Sequence, residues 1–282
     1  MRFHCPDTLS GAMALLGDGA GNVCLAGGGL VVPALRFGAQ PAGLVSLRSI
    51  AELRGMSSRD DGAIHISAMT SHAVVARSDL LTGGMALVRR AAREIAHPVI
   101  RNMATIGGTV SRADPAADYS CALLAAGALI HLRSMSGERT VAIDDFVLGD
   151  GRTVRRDDEL ITTVSLPGDP ARGSSGYVRF SRVDGDYPVT TAGVRLAWRG
   201  GAVAEARIAI GGCGPTALRA RETEAMICGV GRIEEIRPAA IDAAVAAARP
   251  GSDIKGSAAF RRMLIPGLLR RAFAQAFAGA IP

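Results

Sequence analysis

The run RNMATIGGTVSRADPAADYSCALLAAG, residues 101–127, constrains the fold of this chain more than any other. It joins a glycine pair, Gly107-Gly108, to a polar run with two aspartates around a proline, and then to an apolar, helix-like segment. Paired glycines admit a bulky ligand close to the backbone and leave amide N–H groups pointing outward, which suits a phosphate-bearing cofactor. A second cluster, Gly27-Gly28-Gly29, lies about 80 positions upstream, after the strand-like run NVCLA (residues 22–26). Two glycine turns in one N-terminal domain could converge on an elongated ligand such as a dinucleotide, with two independent sets of backbone donors on its pyrophosphate. That arrangement suits a chain whose only lysine is Lys255. The fingerprint G-x-G-x-x-G is not met, because the third glycine is absent at its offset and no acidic residue follows suitably, so a standard Rossmann site is disfavoured.

The periodicity around these turns predicts the scaffold. Leu9, Ala12, Met13 and Leu16 follow helical spacing behind a capping Thr8 or Asp7. Residues 22–26 and 44–47 read as strands, with a short helix over 30–36 between them, a small βαβ-like unit. Residues 63–67 alternate as a strand, and a helix capped by Thr70 follows. Met85, Val88, Ala92 and Ile95 mark one face of a helix over 85–96, with His97 at its end before Pro98. Residues 118–126 read as a helix with Asp114 and Asp118 near its start, and 129–133, 140–143 and 160–166 as strands. The run 167–176, dense in Pro, Gly and Ser, reads as a linker. Beyond it, 177–182, 192–199 and 204–210 predict strands, the last two joined by a Gly200-Gly201 hairpin turn, with Trp198 in the core. Helices over 216–228, 238–248 and 258–278 complete the chain, with Arg261-Arg262 and Arg270-Arg271 on a solvated face.

Composition removes several functions. With 48% hydrophobic and 21% charged residues, the 282-residue chain can bury a substantial core. Its net charge of +6 comes from scattered arginines, and aromatics are only 4%, so a stacking platform for nucleic acid is not expected; a partner protein with an acidic face is a better use for the excess charge. Cys5, Cys24, Cys121, Cys213 and Cys228 form no C-x-x-C pair, and the five histidines form no H-E-x-x-H pattern, so no metal or cluster is expected on this chain. No apolar run reaches the ~18 residues of a membrane span, and the first residues lack a signal-peptide core, so a cytoplasmic protein is expected.

The segments AGGGLVVPALRFG (26–38) and TIGGTVSRADPAADYSCALLAAGA (105–128) resemble the two FAD-binding signatures of the flavoprotein subunits of molybdenum hydroxylases, the family of the medium subunit of aerobic carbon monoxide dehydrogenase and the flavin portion of xanthine dehydrogenase. YVRFSRVDGDYP (177–188), IGGCGPTALRARETEA (210–225) and SAAFRRMLIPGLLRRAF (257–273) are similar to that family's C-terminal domain. The resemblance implies an α+β chain: a vanillyl-alcohol-oxidase-like (p-cresol-methylhydroxylase-type) FAD-binding domain over residues 1–170, made of two α/β subdomains (about 1–56 and 57–170), then a C-terminal domain over 171–282 with an antiparallel sheet and helices. Carried over by position, Ala26, Gly27, Gly28, Gly29 and Leu30, with Thr105, Ile106, Gly107, Gly108 and Thr109, wrap the FAD pyrophosphate and ribityl chain. Asp114 and Asp118 match the acidic positions of the second signature, Asp118 in direct flavin contact, and Tyr187 approaches the isoalloxazine ring. The chain departs from the family at Thr109, where Asn or Asp is common, at Gly29, where Thr, His or Ser is common, and at Cys121, where Pro is frequent.

The function so implied is an electron-transfer subunit of a molybdenum hydroxylase complex. FAD here receives electrons singly from a small [2Fe-2S] subunit, beside a large molybdopterin subunit, in a dimer of heterotrimers, and passes them in pairs to NAD, a quinone or oxygen. No catalytic acid–base set or metal ligand is required of this chain. Two other readings remain: a self-sufficient flavin oxidoreductase, which would need its own base over the flavin, and a subunit-bridging scaffold without FAD.

Overall fold

The structure is a computed structural model that describes residues 1–149, 151–168 and 173–280. Strand β1 (Arg2–His4), helix α1 (Leu9–Gly17), strand β2 (Asn22–Leu25), helix α2 (Val31–Arg36) and strand β3 (Gly43–Ser46) come first, and the strands form a parallel sheet in the order β1-β3-β2. Helix α1 follows its apolar spacing: Leu9, Ala12, Met13 and Leu16 are buried, and the Thr8 hydroxyl accepts a hydrogen bond from the Gly11 N–H as its cap. β1 was invisible to periodicity because it is three residues long.

A second sheet is antiparallel, in the order β4-β5-β10-β6-β7. Its strands are β4 (Met56–Ser58), β5 (Ile64–Ser67), β6 (Leu129–Ser134), β7 (Gly137–Ala142) and β10 (Leu160–Leu166); the hairpin β8 (Val147–Gly149) and β9 (Arg152–Thr153) lies before the last. The helices α3 (His72–Arg77), α4 (Ala86–Glu94), α5 (Pro98–Met103), α6 (Ile106–Arg112), α7 (Asp118–Ala126) and α8 (Ile143–Phe146) supply its apolar cover, and Ile66, Val75, Leu87, Ile106, Leu123, Ile130 and Val164 pack in one core. Two readings are corrected here. Thr70 does not cap α3, which starts behind Ser71; the Thr70 hydroxyl donates to Gly55 O at 2.8 Å and accepts from the Gly55 N–H at 3.1 Å. His97 does not end a helix but is the N-cap residue of α5, whose first residue is Pro98.

The third sheet, β11-β12-β13-β14, is antiparallel and comprises β11 (Ser174–Phe180), β12 (Thr190–Arg199), β13 (Ala202–Gly211) and β14 (Leu218–Arg219), followed by α9 (Arg221–Ile227), α10 (Pro238–Ala247) and α11 (Ala258–Ala278). The helix expected over 216–228 is β14 plus the shorter α9. Of the expected linker, residues 169–172 lie outside the described residues, and 174–176 already belong to β11.

Every residue of β12 from Thr190 to Leu196 is buried. Helix α11 packs on one side of this sheet and α4 and α7 on the other. Two glycines allow the close approach: a Cβ on Gly176 would overlap the backbone of Ala272 in α11, and one on Gly193 would meet Ala125, Cys121 and Leu87 within 3.4 Å. Trp198, at the far end of β12, is only half-buried; its indole N–H donates to Ser174 Oγ at 2.7 Å and its ring stands edge-on to Phe277. Arg261 is not solvated: it is 3% exposed, pairs with Asp253 at 2.7 Å and donates to Val189 O and Gly212 O.

Candidate functional site

Where the parallel sheet meets the antiparallel one, a cleft of about 670 Å³ opens, within the range of small-molecule sites. Its lining includes Ala26, Gly27, Gly28, Gly29 and Leu30 from the β2–α2 connection and Thr105, Gly107, Gly108 and Thr109 from α6 and its cap. The structure thus brings the two glycine segments together on one cleft, and the first touches the chain just ahead of the second: a Cβ on Gly27 would overlap the backbone of Met103 and Ala104. A smaller cavity, of about 490 Å³, opens beside Gly27 and Thr105 and is rimmed by Arg48, Arg54 and Asn102.

The two segments do different work. No described group accepts a hydrogen bond from the N–H of Gly27, Gly28 or Gly29, and Gly28 sits at φ +77°, the left-handed conformation that a glycine adopts freely. A side chain on Gly29 would meet nothing within 4 Å. The second segment is no turn. It is the start of helix α6, capped by the Thr105 hydroxyl, and its amides are engaged: Ile106 N–H to Thr70 O, Gly107 N–H to Ala68 O, Gly108 N–H to Thr105 Oγ1 and Thr109 N–H to Thr105 O. Gly107 is glycine for packing, since its Cβ would lie 2.6 Å from that of Ala68. The expected pair of backbone donor sets therefore reduces to one, at residues 27–29, while the second segment contributes shape and the Thr109 hydroxyl.

Four expected residues lie outside this lining. Ile106 is fully buried in the core. Asp114 forms the turn before α7: its Oδ1 accepts from the Ala116 N–H at 2.9 Å and its carbonyl from Ser120 Oγ at 2.6 Å. Asp118, expected in direct flavin contact, is 5% exposed at the start of α7 and faces the C-terminal sheet. There it accepts from the Tyr177 hydroxyl at 2.7 Å and stands 3.3 Å from Arg179 Nη1. Burial outweighs these partners and pushes its carboxyl up to about 6, and the same burial raises the Tyr177 phenol. Arg179 in turn donates to Glu94 O at 2.6 Å and to Asp186 O, beside Tyr187. Tyr187 is 41% exposed, with Lys255 Nζ 4.6 Å from its ring centroid.

Several cleft residues escaped the sequence reading. Arg112, at the end of α6, and Arg155 add positive charge, and Asp157 and Glu159 stand on the wall that carries Arg155. Glu159 is 2% exposed, takes Arg139 through two hydrogen bonds of 2.7 and 2.9 Å and accepts the Arg156 N–H, and the Arg139 bonds hold its carboxyl below the usual range. Arg155 donates to Glu159 O at 2.9 Å, so the wall is braced. Cys24 lines the cleft as well, its thiol pushed up to about 11 by burial. No spacing rule marks these residues, because they converge from separate connections. The unpartnered amides, the open space at Gly29 and the apolar wall of Leu16, Val23, Leu47 and Leu160 fit a phosphate-bearing dinucleotide such as FAD.

Comparison with known proteins agrees. Residues 1–169 match the FAD binding domain in molybdopterin dehydrogenase, and residues 175–276 match the CO dehydrogenase flavoprotein C-terminal domain. The carbon monoxide dehydrogenase medium chain of Hydrogenophaga pseudoflava is 32% identical over 280 residues, covering 98% of this chain and 96% of its own. The nicotine 6-hydroxylase medium subunit of Paenarthrobacter nicotinovorans is 31% identical over 278 residues, covering 98% and 97%. The structure of carbon monoxide dehydrogenase from Hydrogenophaga pseudoflava lacking the Mo-pyranopterin moiety superposes with a TM-score of 0.93 at 33% identity, over 100% of this chain and 98% of that one.

Proposed function

Because this chain belongs to the family of FAD-binding subunits of molybdopterin dehydrogenases, we propose that the cleft between its two glycine segments holds the FAD of a multi-subunit oxidoreductase. The chain is the FAD-binding component of a molybdenum hydroxylase type of complex, whose molybdopterin and iron–sulfur centres belong to other subunits. When bound, FAD supplies the one- and two-electron redox chemistry; the chain binds, orients and electrostatically tunes it. The amides of residues 27–29 receive the pyrophosphate, Gly108 and Thr109 border it, and Leu16, Val23 and Leu160 exclude water from the adjoining apolar wall. Arg112, which lines the cleft, and Tyr187 mark the rim toward the isoalloxazine end; burial raises the Tyr187 phenol, and the nearby Asp114 and Arg112 charges act on it in opposite directions. Asp118 acts there through Arg179, which ties it to the loop carrying Tyr187.

The finer fold reading is of the same kind. A vanillyl-alcohol-oxidase-like FAD-binding domain over residues 1–170, divided near 56, is supported by the change from a parallel to an antiparallel sheet at β4 (Met56–Ser58), and a second unit over 171–282 by the separate sheet that begins at Ser174. We extend the reading to assembly as a dimer of heterotrimers in the cytoplasm; no described helix is long and apolar enough to cross a membrane. The named relatives act on carbon monoxide and nicotine with medium chains of one design, which supports assigning substrate choice to the molybdopterin subunit.

The observation that carries the proposal is the set of unpartnered amides facing open space at Gly29. Reconstitution with FAD, followed by gel filtration and a visible absorption spectrum, should return stoichiometric flavin with the protein. A spectrum without flavin bands would overturn the proposal.

A further inference from the structure

One buried side chain behind the cleft has no part in the reading above. His72, in the first turn of α3, is 1% exposed. Its Nε2 lies 3.2 Å from Thr109 Oγ1, and no other described group is hydrogen-bonded to that hydroxyl. Its Nδ1 has no partner among the described residues. The imidazole stands edge-on to the Tyr119 ring, centroids 5.2 Å apart, so packing fixes its plane. Burial, with the Arg101 charge adding to it, lowers its pKa to about 4, so the ring is neutral and carries one proton.

The place of that proton decides what Thr109 does. On Nδ1 it would be a buried donor with nothing to accept it, and the Thr109 hydroxyl would spend its own proton on Nε2. On Nε2 it is donated to Thr109 Oγ1, and only a lone pair is left unmatched, the smaller loss. The second arrangement leaves the Thr109 proton free of the protein, and Thr109 lines the cleft. We infer that His72 is a positioning residue, which donates to Thr109 and thereby makes the Thr109 hydroxyl a fixed donor to an acceptor atom of the bound FAD. This rests on the proposed placement of FAD beside Thr109.

The test is a double-mutant cycle on FAD affinity, measured by titrating the FAD-free full chain and following flavin fluorescence. Thr109→Val and His72→Phe should each weaken binding by about 5- to 10-fold, the worth of one hydrogen bond. His72→Gln, whose amide nitrogen can reach the place of Nε2, should restore affinity to within about 2-fold, and His72→Phe should add nothing in the Thr109→Val background. Equal losses from His72→Phe with and without Thr109 would overturn the inference, as would His72→Phe binding like the parent while Thr109→Val is weakened; the cleft reading then stands. Thr109→Val binding as tightly as the parent would remove Thr109 from the cofactor's contacts and overturn the inference, whereas a parent chain that takes up no FAD in the same titration would defeat the cleft reading itself. Independently of whether the phenylalanine variant folds, ¹⁵N NMR of histidine-labelled protein should show His72 as the Nε2–H tautomer, and an Nδ1–H signal would refute the arrangement.

Discussion

At the scale of single residues, the glycines of the cleft separate into those that face its open space and those that pack the fold. Gly29→Val should leave stability within about 0.5 kcal/mol of the parent, because nothing lies within 4 Å of the added carbon, and should reduce FAD affinity at least ~10-fold by filling the cleft. Gly107→Val should cost about 2–3 kcal/mol in urea unfolding through its collision with Ala68, so flavin loss in that variant says little about contact with the cofactor. His72 and Asp118 make opposed contributions to acid stability. The folded state refuses the His72 proton that the unfolded chain accepts at its ordinary 6.5, so stability is lost as pH falls from 6.5 toward 4, on the order of 2–3 kcal/mol. Asp118, raised to about 6 from 3.8, takes its proton more readily when folded, so acidification through the same window relieves a cost. Urea midpoints measured across that window should fall more steeply with acid in Asp118→Asn than in the parent, and less steeply in His72→Phe. The glycines and Thr109 were legible because adjacent small residues are a local signal. The Asp118–Tyr177–Arg179 cluster was not, because its members are 59 and 61 positions apart.

At the scale of elements, local pattern identified most helices and strands, and its errors have physical causes. The glycine pair at 107–108 read as a turn because glycine weakens helix propensity; the Thr105 cap of α6 and the packing of Gly107 on Ala68 outweigh that loss. β12 is covered on both faces, which its sequence did not mark. The cover depends on Gly176. Gly176→Ala should push β11 away from α11 and cost about 2–3 kcal/mol, read as a lower urea midpoint.

For the whole molecule, the joint between the antiparallel FAD-binding sheet and the C-terminal sheet is where sequence was silent. Asp144, in α8, meets Arg207 at 2.8 Å, Arg219 at 3.0 Å and Arg221 at 3.3 Å, and Arg219 also holds Glu224 at 2.6 Å. Asp144→Ala leaves the largely buried Arg207 guanidinium without its carboxylate and Arg219 with Glu224 alone and should cost about 2–4 kcal/mol, whereas Glu138→Ala, which removes an exposed pair 4.0 Å long, should stay within about 0.5 kcal/mol. Thermal unfolding of both variants checks the contrast. The position of Lys255 over the Tyr187 ring has a practical consequence. Since it is the only lysine, amine-directed chemistry at this chain's side chains has a single address, on the rim of the proposed flavin site. A fluorophore or cross-linker attached there would report on that rim without cysteine engineering, and its rate of attachment would measure how tightly the amine stays seated on the tyrosine.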